Sequence, residues 1–404
     1  MPLPTGGHIL FIYVLSLLFA LVSAQDLSVP TSWRKPSTSR PLSERISISQ
    51  DAINSILPQL DSATGEFNGI GYWQAGNVWT AIANHDHFAG TDKNKALVVN
   101  NLNTAFKLHA HYDKYGTTTM RFGGRKQHCR ATEPIRTKIF CRMPLTLGMK
   151  SQTTVSSSVI TKADANSKKQ PKKNFSIAGS CNEATMAGGV FWRTTTDDQS
   201  INSITTGLYI ATSALLAEIT GDSKYTKAAV LSAQWIKAHN INANGIILDS
   251  VNGHDCTRSP SNWLFTYNSG KFIEGLSVLA SVTKDSQWNN LMVHTVAAAV
   301  KSSTWQGSDG IITEGSSPTS NNDGVGFKSI FIRGLYEAFS RNPRNANLRV
   351  LLRSYVDVQY NALLDLAATK STYSSSWHGP PQSFTTWGQL ASLDVLGSAI
   401  RINS

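Results

Sequence analysis

The stretch INSITTGLYIATSALLAEITGDSKYTKAAVLSAQWIKAHN, residues 201–240, decides the fold. Ile201, Ile204, Leu208, Ala211, Leu215 and Ile219 recur at intervals of three and four, the spacing that lines one face of a helix. Gly221-Asp222-Ser223-Lys224 then breaks the pattern with turn residues. A second helical phase follows through Ala228, Leu231, Trp235 and Ile236. Two helices joined by so short a turn form an αα-hairpin.

The same unit returns twice. Phe272, Leu276 and Leu279 precede the turn Lys284–Gln287, and Trp288, Leu291, Val296 and Val300 follow it. Ile330, Ile332, Leu335 and Phe339 precede Asn342–Asn345, and Leu348, Leu351, Val356 and Leu363 follow. Turns recur about every sixty residues, long for a solenoid unit. The excess lies between hairpins, in Asn240–Asn268, Ser303–Phe327 and Ala368–Phe384, which are rich in Gly, Ser, Asn, Asp and Trp. Upstream, Tyr72–His87 and Asp92–Tyr112 make another hairpin, and Ser43–Leu60 pairs with Phe384–Ile400 to close a ring. Five hairpins result, with a gap from Thr117 to about Thr161 that a sixth would fill. The expected class is therefore all-α, and long loops gathered at one end of a helical ring predict a cleft there.

Composition narrows the setting. Apolar residues make up 41% and charged residues 16% of 404, which suits a chain with a sizeable core. Ile9–Val22 is apolar and is followed by Val22-Ser23-Ala24 and Gln25, the pattern of a secretory signal peptide cleaved after residue 24. The run is short for a membrane span, and SAIRINS at the other end is no lipid-anchor signal. Secretion as a free monomer without a stable membrane anchor is the expectation, with 25–44 as a linker and 45–402 as one domain. Asn174-Phe175-Ser176 is a glycosylation sequon. Cys181 and Cys256 are a plausible disulfide in an oxidising compartment.

The window 117–158 fits none of this. It holds eight Lys/Arg against one Glu, a net +7 of the chain's +11, together with Cys129 and Cys141. Without it the charge is about +4 and dispersed, so no nucleic-acid partner is expected. Lys168-Lys169-Gln170-Pro171-Lys172-Lys173 reads as a solvated loop. His85-Asp86-His87 has metal-ligand residue types but sits at a helix end, where a turn explains it better, so no metal and no cofactor are expected.

AGSCNEATMAGGVFW, TYNSGKFIEGL, WQGSDGII and GFKSIFIRGL, in this order, resemble glycoside hydrolase family 76, over roughly residues 45–402 apart from the window. The resemblance implies an (α/α)6 barrel, with the hairpin at about 117–160 disrupted, and α-1,6-mannanase chemistry on a cell-wall α-mannan or related polysaccharide, outside the cell or in the wall. It implies a retaining mechanism in which two adjacent Asp residues act as nucleophile and general acid/base. The family motif, Tyr-Asn-Asp-Asp followed by a small residue, an apolar residue and Trp, begins the helix after Tyr112–Gly116. Its Asp pair is expected at Thr119 and Met120, where this chain has no carboxylate. By block position the resemblance places Trp73, Trp192 and Tyr267 as sugar-stacking residues. Asn268 and Asp309 are placed as hydroxyl ligands, Lys328 as a hydroxyl ligand or the partner of an Asp, and Phe327 as a further cleft residue. Asp197-Asp198 belongs to another loop and reads as a helix-start pair. Asp249, Asp309 and Glu314 are the remaining loop carboxylates.

The genetic code allows a test of the window. If each codon takes the last base of one residue's codon and the first two of the next, positions 117–120 each become Tyr, His, Asn or Asp. Arg121 then becomes Ala or Glu, and Gly123 becomes Trp or Arg. The permitted string contains the family motif. Thr137–Cys141 likewise admits Asp-Lys-Asp-Leu-Leu, a hairpin turn where the repeat requires one. Two compensating frame changes are the expectation, with a genuine basic insertion or a diverged loop as the alternative. The chain is thus expected to be a family 76 hydrolase missing its catalytic pair as written, or alternatively an inactive glycan-binding or wall-associated protein.

Overall fold

The structure, a computed structural model, describes residues 25–109, 114–115 and 173–404. Ten helices occur among these residues: α1 (Leu42–Ile56), α2 (Tyr72–Ala89), α3 (Lys95–Leu108), α4 (Ser203–Thr220), α5 (Ser223–His239), α6 (Thr266–Thr283), α7 (Ser286–Ala299), α8 (Asp323–Arg341), α9 (Ala346–Ala362) and α10 (Thr386–Ile402). Thr119, Met120, Cys129, Cys141 and the rest of the aberrant window lie outside the described residues.

Turn chemistry sets the hairpins. Gly221 (φ +69°) ends α4 in the left-handed conformation, and Asp222 at once caps α5 by accepting the Lys224 N–H at 3.0 Å. Lys284 (φ +58°) and Asp285 repeat the device between α6 and α7. At the opposite end, Asn202 caps α4 and Thr385 caps α10 through side-chain oxygens.

Packing separates two layers. Inner helices α4, α6, α8, α10 and α2 contact one another in that order around an arc, and α5, α7, α9, α1 and α3 cover them outside. From Ser203 to Ala217 every residue of α4 is buried, as expected of a helix with neighbours on all sides. Inner helices approach closely through glycine: a Cβ on Gly334 would sit 2.1 Å from the Gly270 carbonyl oxygen, so no other residue fits there. The core between layers is filled by Trp235, Trp288, Trp305, Trp377, Tyr355 and Phe331, all buried. The pairing of α1 with α10 that closes the arc is the one expected from sequence.

Among the described residues, four two-stranded antiparallel ribbons stiffen the long loops, one of them Ser200–Asn202 with Ser250–Asn252. Cys181 and Cys256 are joined by a disulfide, so the loop before α4 is tied to the loop after α5. The stretch expected as a linker, 25–44, instead straps the outer layer up to the start of α1. Trp33 is buried against Tyr355, Arg34 and Lys35 pair with Asp365, and Asn361 donates to the carbonyls of Lys35 and Ser37. Among the described residues no helix is long and apolar enough to cross a membrane.

Candidate functional site

A cleft of about 1190 Å³ opens at the N-terminal ends of α2, α4, α6 and α8, under the long loops. This end of the inner ring collects the positive poles of parallel helices, which favour carboxylates and polar ligand oxygens.

One wall is aromatic. Tyr267, in the first turn of α6, stacks on Phe327 of α8 with centroids 3.8 Å apart and planes 18° from parallel. Trp73 of α2 leans on Phe327 at 5.9 Å, and its indole N–H donates to Asp323 Oδ1 at 3.0 Å. Trp192 and Trp263 stand on the rim, 38% and 47% exposed, and the Arg193 guanidinium lies 4.1 Å over the Trp192 ring. Flat apolar faces beside fixed carboxylates match a sugar ring, which has apolar faces and hydroxyl edges.

Asp249, in the loop after α5, lines the cleft and accepts the Asn268 amide at 3.0 Å. Burial raises its pKa, with hydrogen bonds from Asn268 and Ser250 opposing the shift. Asn268 is itself buried, so it holds Asp249 from behind. Glu314 caps α6: one oxygen accepts the Thr266 N–H at 2.9 Å and the other the Thr266 hydroxyl. Its burial still dominates and pushes its pKa up to about 7. Lys328, fully buried, donates to the Ser375 carbonyl at 2.5 Å and lies 4.4 Å over Trp377. Burial brings its pKa down to about 7, against the pull of Glu314. The floor holds two satisfied ion pairs: Arg333 grips Asp394 through two bonds at 2.9 and 2.6 Å, and Lys271 meets Glu274 at 2.6 Å.

Trp73, Trp192, Tyr267 and Phe327 therefore line a single cleft, while Asn268 and Lys328 lie behind its wall. Asp309 is elsewhere: its carboxylate meets His378 at 3.0 Å, its carbonyl accepts the Arg34 N–H, and it does not line the cleft. Asp197-Asp198 sits on the rim but starts no helix, since α4 begins at Ser203 after a β-ribbon. Asp198 uses both oxygens to fold its own loop, accepting the N–H groups of Arg193 and Ser200. His85 and Asp86 are likewise structural, bonded to Ser49 and to Asn94. Among the described residues no three His, Cys, Asp or Glu stand together as a metal site. Asp323 escaped the sequence reading; its signal was an acidic residue opening the helix of the GFKSIFIRGL block.

A ring of helical hairpins with an aromatic, carboxylate-bearing cleft at the inner helices' N-terminal end is the architecture of a carbohydrate-active (α/α) barrel. The model of glycosyl hydrolase family 76 matches residues 171–399, and the chain belongs to that family. No curated protein matches it by sequence. Solved structures share the fold at low identity. An inactive variant of the α-1,6-mannanase GH76A of Salegentibacter sp. HEL1_6, with two consecutive aspartates changed to asparagine and α-1,6-mannotriose bound, is 14% identical with a TM-score of 0.74. The match covers 89% of this chain and 99% of that one. Dfg5 from Chaetomium thermophilum, in complex with glucosamine, is 15% identical with a TM-score of 0.67, covering 92% and 93%. The Lin0763 protein of Listeria innocua is 15% identical with a TM-score of 0.71, covering 89% and 97%.

Proposed function

We propose that the cleft takes an α-1,6-linked mannan, that the protein meets it outside the cell or in a cell wall, and that hydrolysis needs two carboxylates which positions 119 and 120 lack as written. The observation that carries the glycan reading is the wall formed by Trp73, Phe327 and Tyr267 beside Asp323 and Asp249. Family membership and the α-1,6-mannotriose held by the Salegentibacter enzyme support the choice of sugar.

Retaining cleavage needs one ionised and one protonated carboxyl flanking the bond, about 5–5.5 Å apart. Four of the described carboxylates in or near the cleft are otherwise engaged. Asp198 folds its loop, Glu314 caps α6, Asp249 is held by Asn268, and Asp323 holds the Trp73 indole. That commitment favours a second reading for the polypeptide as written, a glycan-binding protein without turnover.

The two readings separate in one experiment. Purified protein is given α-1,6-mannan, with released reducing ends and calorimetric binding of α-1,6-mannotetraose measured in parallel. Binding without release is expected from the written sequence, and release with anomeric retention from a frame-restored version. Release by the written sequence would refute the assignment of the missing pair, and absence of binding in both versions would refute the glycan.

A further inference from the structure

Residues 173–178 form a short segment clamped beside the cleft. Lys173 is buried: its ammonium donates to the carbonyls of Thr195 and Arg193, at 2.8 and 3.3 Å, and lies 4.1 Å over the Phe191 ring. The Asn174 N–H donates to the Thr196 carbonyl at 3.0 Å. Phe175 turns inward and meets Phe191 and His254 edge-on at 6.2 and 5.6 Å. The Ser176 carbonyl bonds His254 Nδ1 at 2.8 Å, and the Ala178 N–H donates to Gly253. With Phe175 inward, its neighbours Asn174 and Ser176 are both exposed. The Asn174 side-chain amide makes no hydrogen bond among the described residues.

Asn174-Phe175-Ser176 is also the one Asn-x-Ser/Thr sequence in the chain. Its inner residue is not proline, and the fold presents both the amide and the hydroxyl two residues on. Five residues later, Cys181 enters its disulfide with Cys256, a bond that persists in the oxidising compartments where such sequons are modified.

We propose that Asn174 carries an N-linked oligosaccharide, standing on the outer flank of the cleft wall. In the transfer, Asn174 Nδ2 bonds to the anomeric carbon of a lipid-pyrophosphate-linked oligosaccharide. The bond from that carbon to the pyrophosphate oxygen breaks, the lipid pyrophosphate leaves with the electron pair, and the amide loses one proton. Asn174 does not line the cleft, whereas Asp197 and Asp198, just beyond its partner Thr196, do. The glycan therefore projects from the back of the loop that carries Trp192 and leaves the cleft open. The site is independent of the mannan reading, since neither binding nor turnover enters its test.

The test translates the full chain with eukaryotic microsomes and isolates the protease-protected product. The expected product is heavier by one oligosaccharide. Amidase treatment in ¹⁸O water should remove that mass and leave an ¹⁸O-labelled aspartate at position 174 by peptide mass spectrometry. Asn174→Gln and Ser176→Ala should abolish the shift, and Ser176→Thr should keep it, without reference to the stability of the folded chain. A protected chain whose Cys181–Cys256 bond has formed while position 174 stays unmodified would overturn the proposal. So would a chain that never enters the vesicles.

Discussion

Single side chains separate binding from stability in this protein. Trp73 contributes a ring face to the cleft and an indole N–H to Asp323. Trp73→Ala should weaken α-1,6-mannotetraose binding by about 3- to 10-fold, the equivalent of one aromatic contact of about 0.5–1.5 kcal/mol; calorimetry reads this, and an unchanged affinity would remove Trp73 from the site. Glu314 and Lys328 set a pH dependence instead. Glu314 is raised in the folded state to about 7, so its contribution is fully present below its unfolded value and is lost as pH rises through about 7. Lys328 is lowered to about 7, so its contribution is present above its unfolded value and is lost as pH falls through about 7. Together the two predict a dip in stability near neutrality. Urea unfolding at several pH values should show Glu314→Gln flattening the acid side of that dip while leaving the alkaline side, where Lys328 titrates. An unchanged acid-side slope would mean that Glu314 ionises normally.

At the scale of elements, the loops are held by more than their own turns. The disulfide spans 75 residues and encloses the whole α4–α5 hairpin. Closing so long a loop restricts the unfolded chain by about 4 kcal/mol in the chain-entropy account. The double variant Cys181→Ala, Cys256→Ala should therefore melt well below the parent, as followed by circular dichroism. A parent-like melt would place the stability of this wall in the β-ribbon Ser200–Asn202/Ser250–Asn252 instead. The hairpins themselves were legible in sequence, because a helix repeats its buried face every three or four residues and a turn needs Gly, Asp or Asn at fixed places. Predicted starts fell within a few residues of the observed ones, as at Tyr72 of α2. The strap was not legible. Residues 25–41 carry no periodicity, and only the meeting of Tyr355 on α9 with the turn at Gly310 gives Trp33 a place to be buried.

For the whole molecule, the ring is the unit of stability, since each hairpin buries its neighbours' apolar faces. Trp79, Leu102 and Ala105 of α2 and α3, which precede residues 117–158 in sequence, and Ile204 and Leu208 of α4, which follows them, line the cleft. A protein with that segment restored to the family frame should melt cooperatively and at higher temperature than the protein as written, and should aggregate less. Equal melting of the two would mean that the written segment packs as well as the hairpin it replaces. Reading the genomic DNA and transcript across codons 116–160 gives an independent check, and no Asp-Asp in any frame would end the frame-change account.

Sequence alone determined the helical periodicity, the hairpin turns, the family blocks and the absence of carboxylates at positions 119 and 120, because each is a local property of residue type and spacing. Tertiary structure decided which loop residues share a space. Asp249 and Asp309 look equivalent in sequence, as acidic residues in long Gly- and Asn-rich loops. One is drawn into the cleft by a buried Asn268, while the other faces His378 and the N-terminal strap. Phe327 and Lys328 are adjacent, yet the 100° step of a helix sends the first to the cleft wall and the second into the core. Periodicity fixes the angle between such neighbours, but only the closing of the ring fixes which direction is inward.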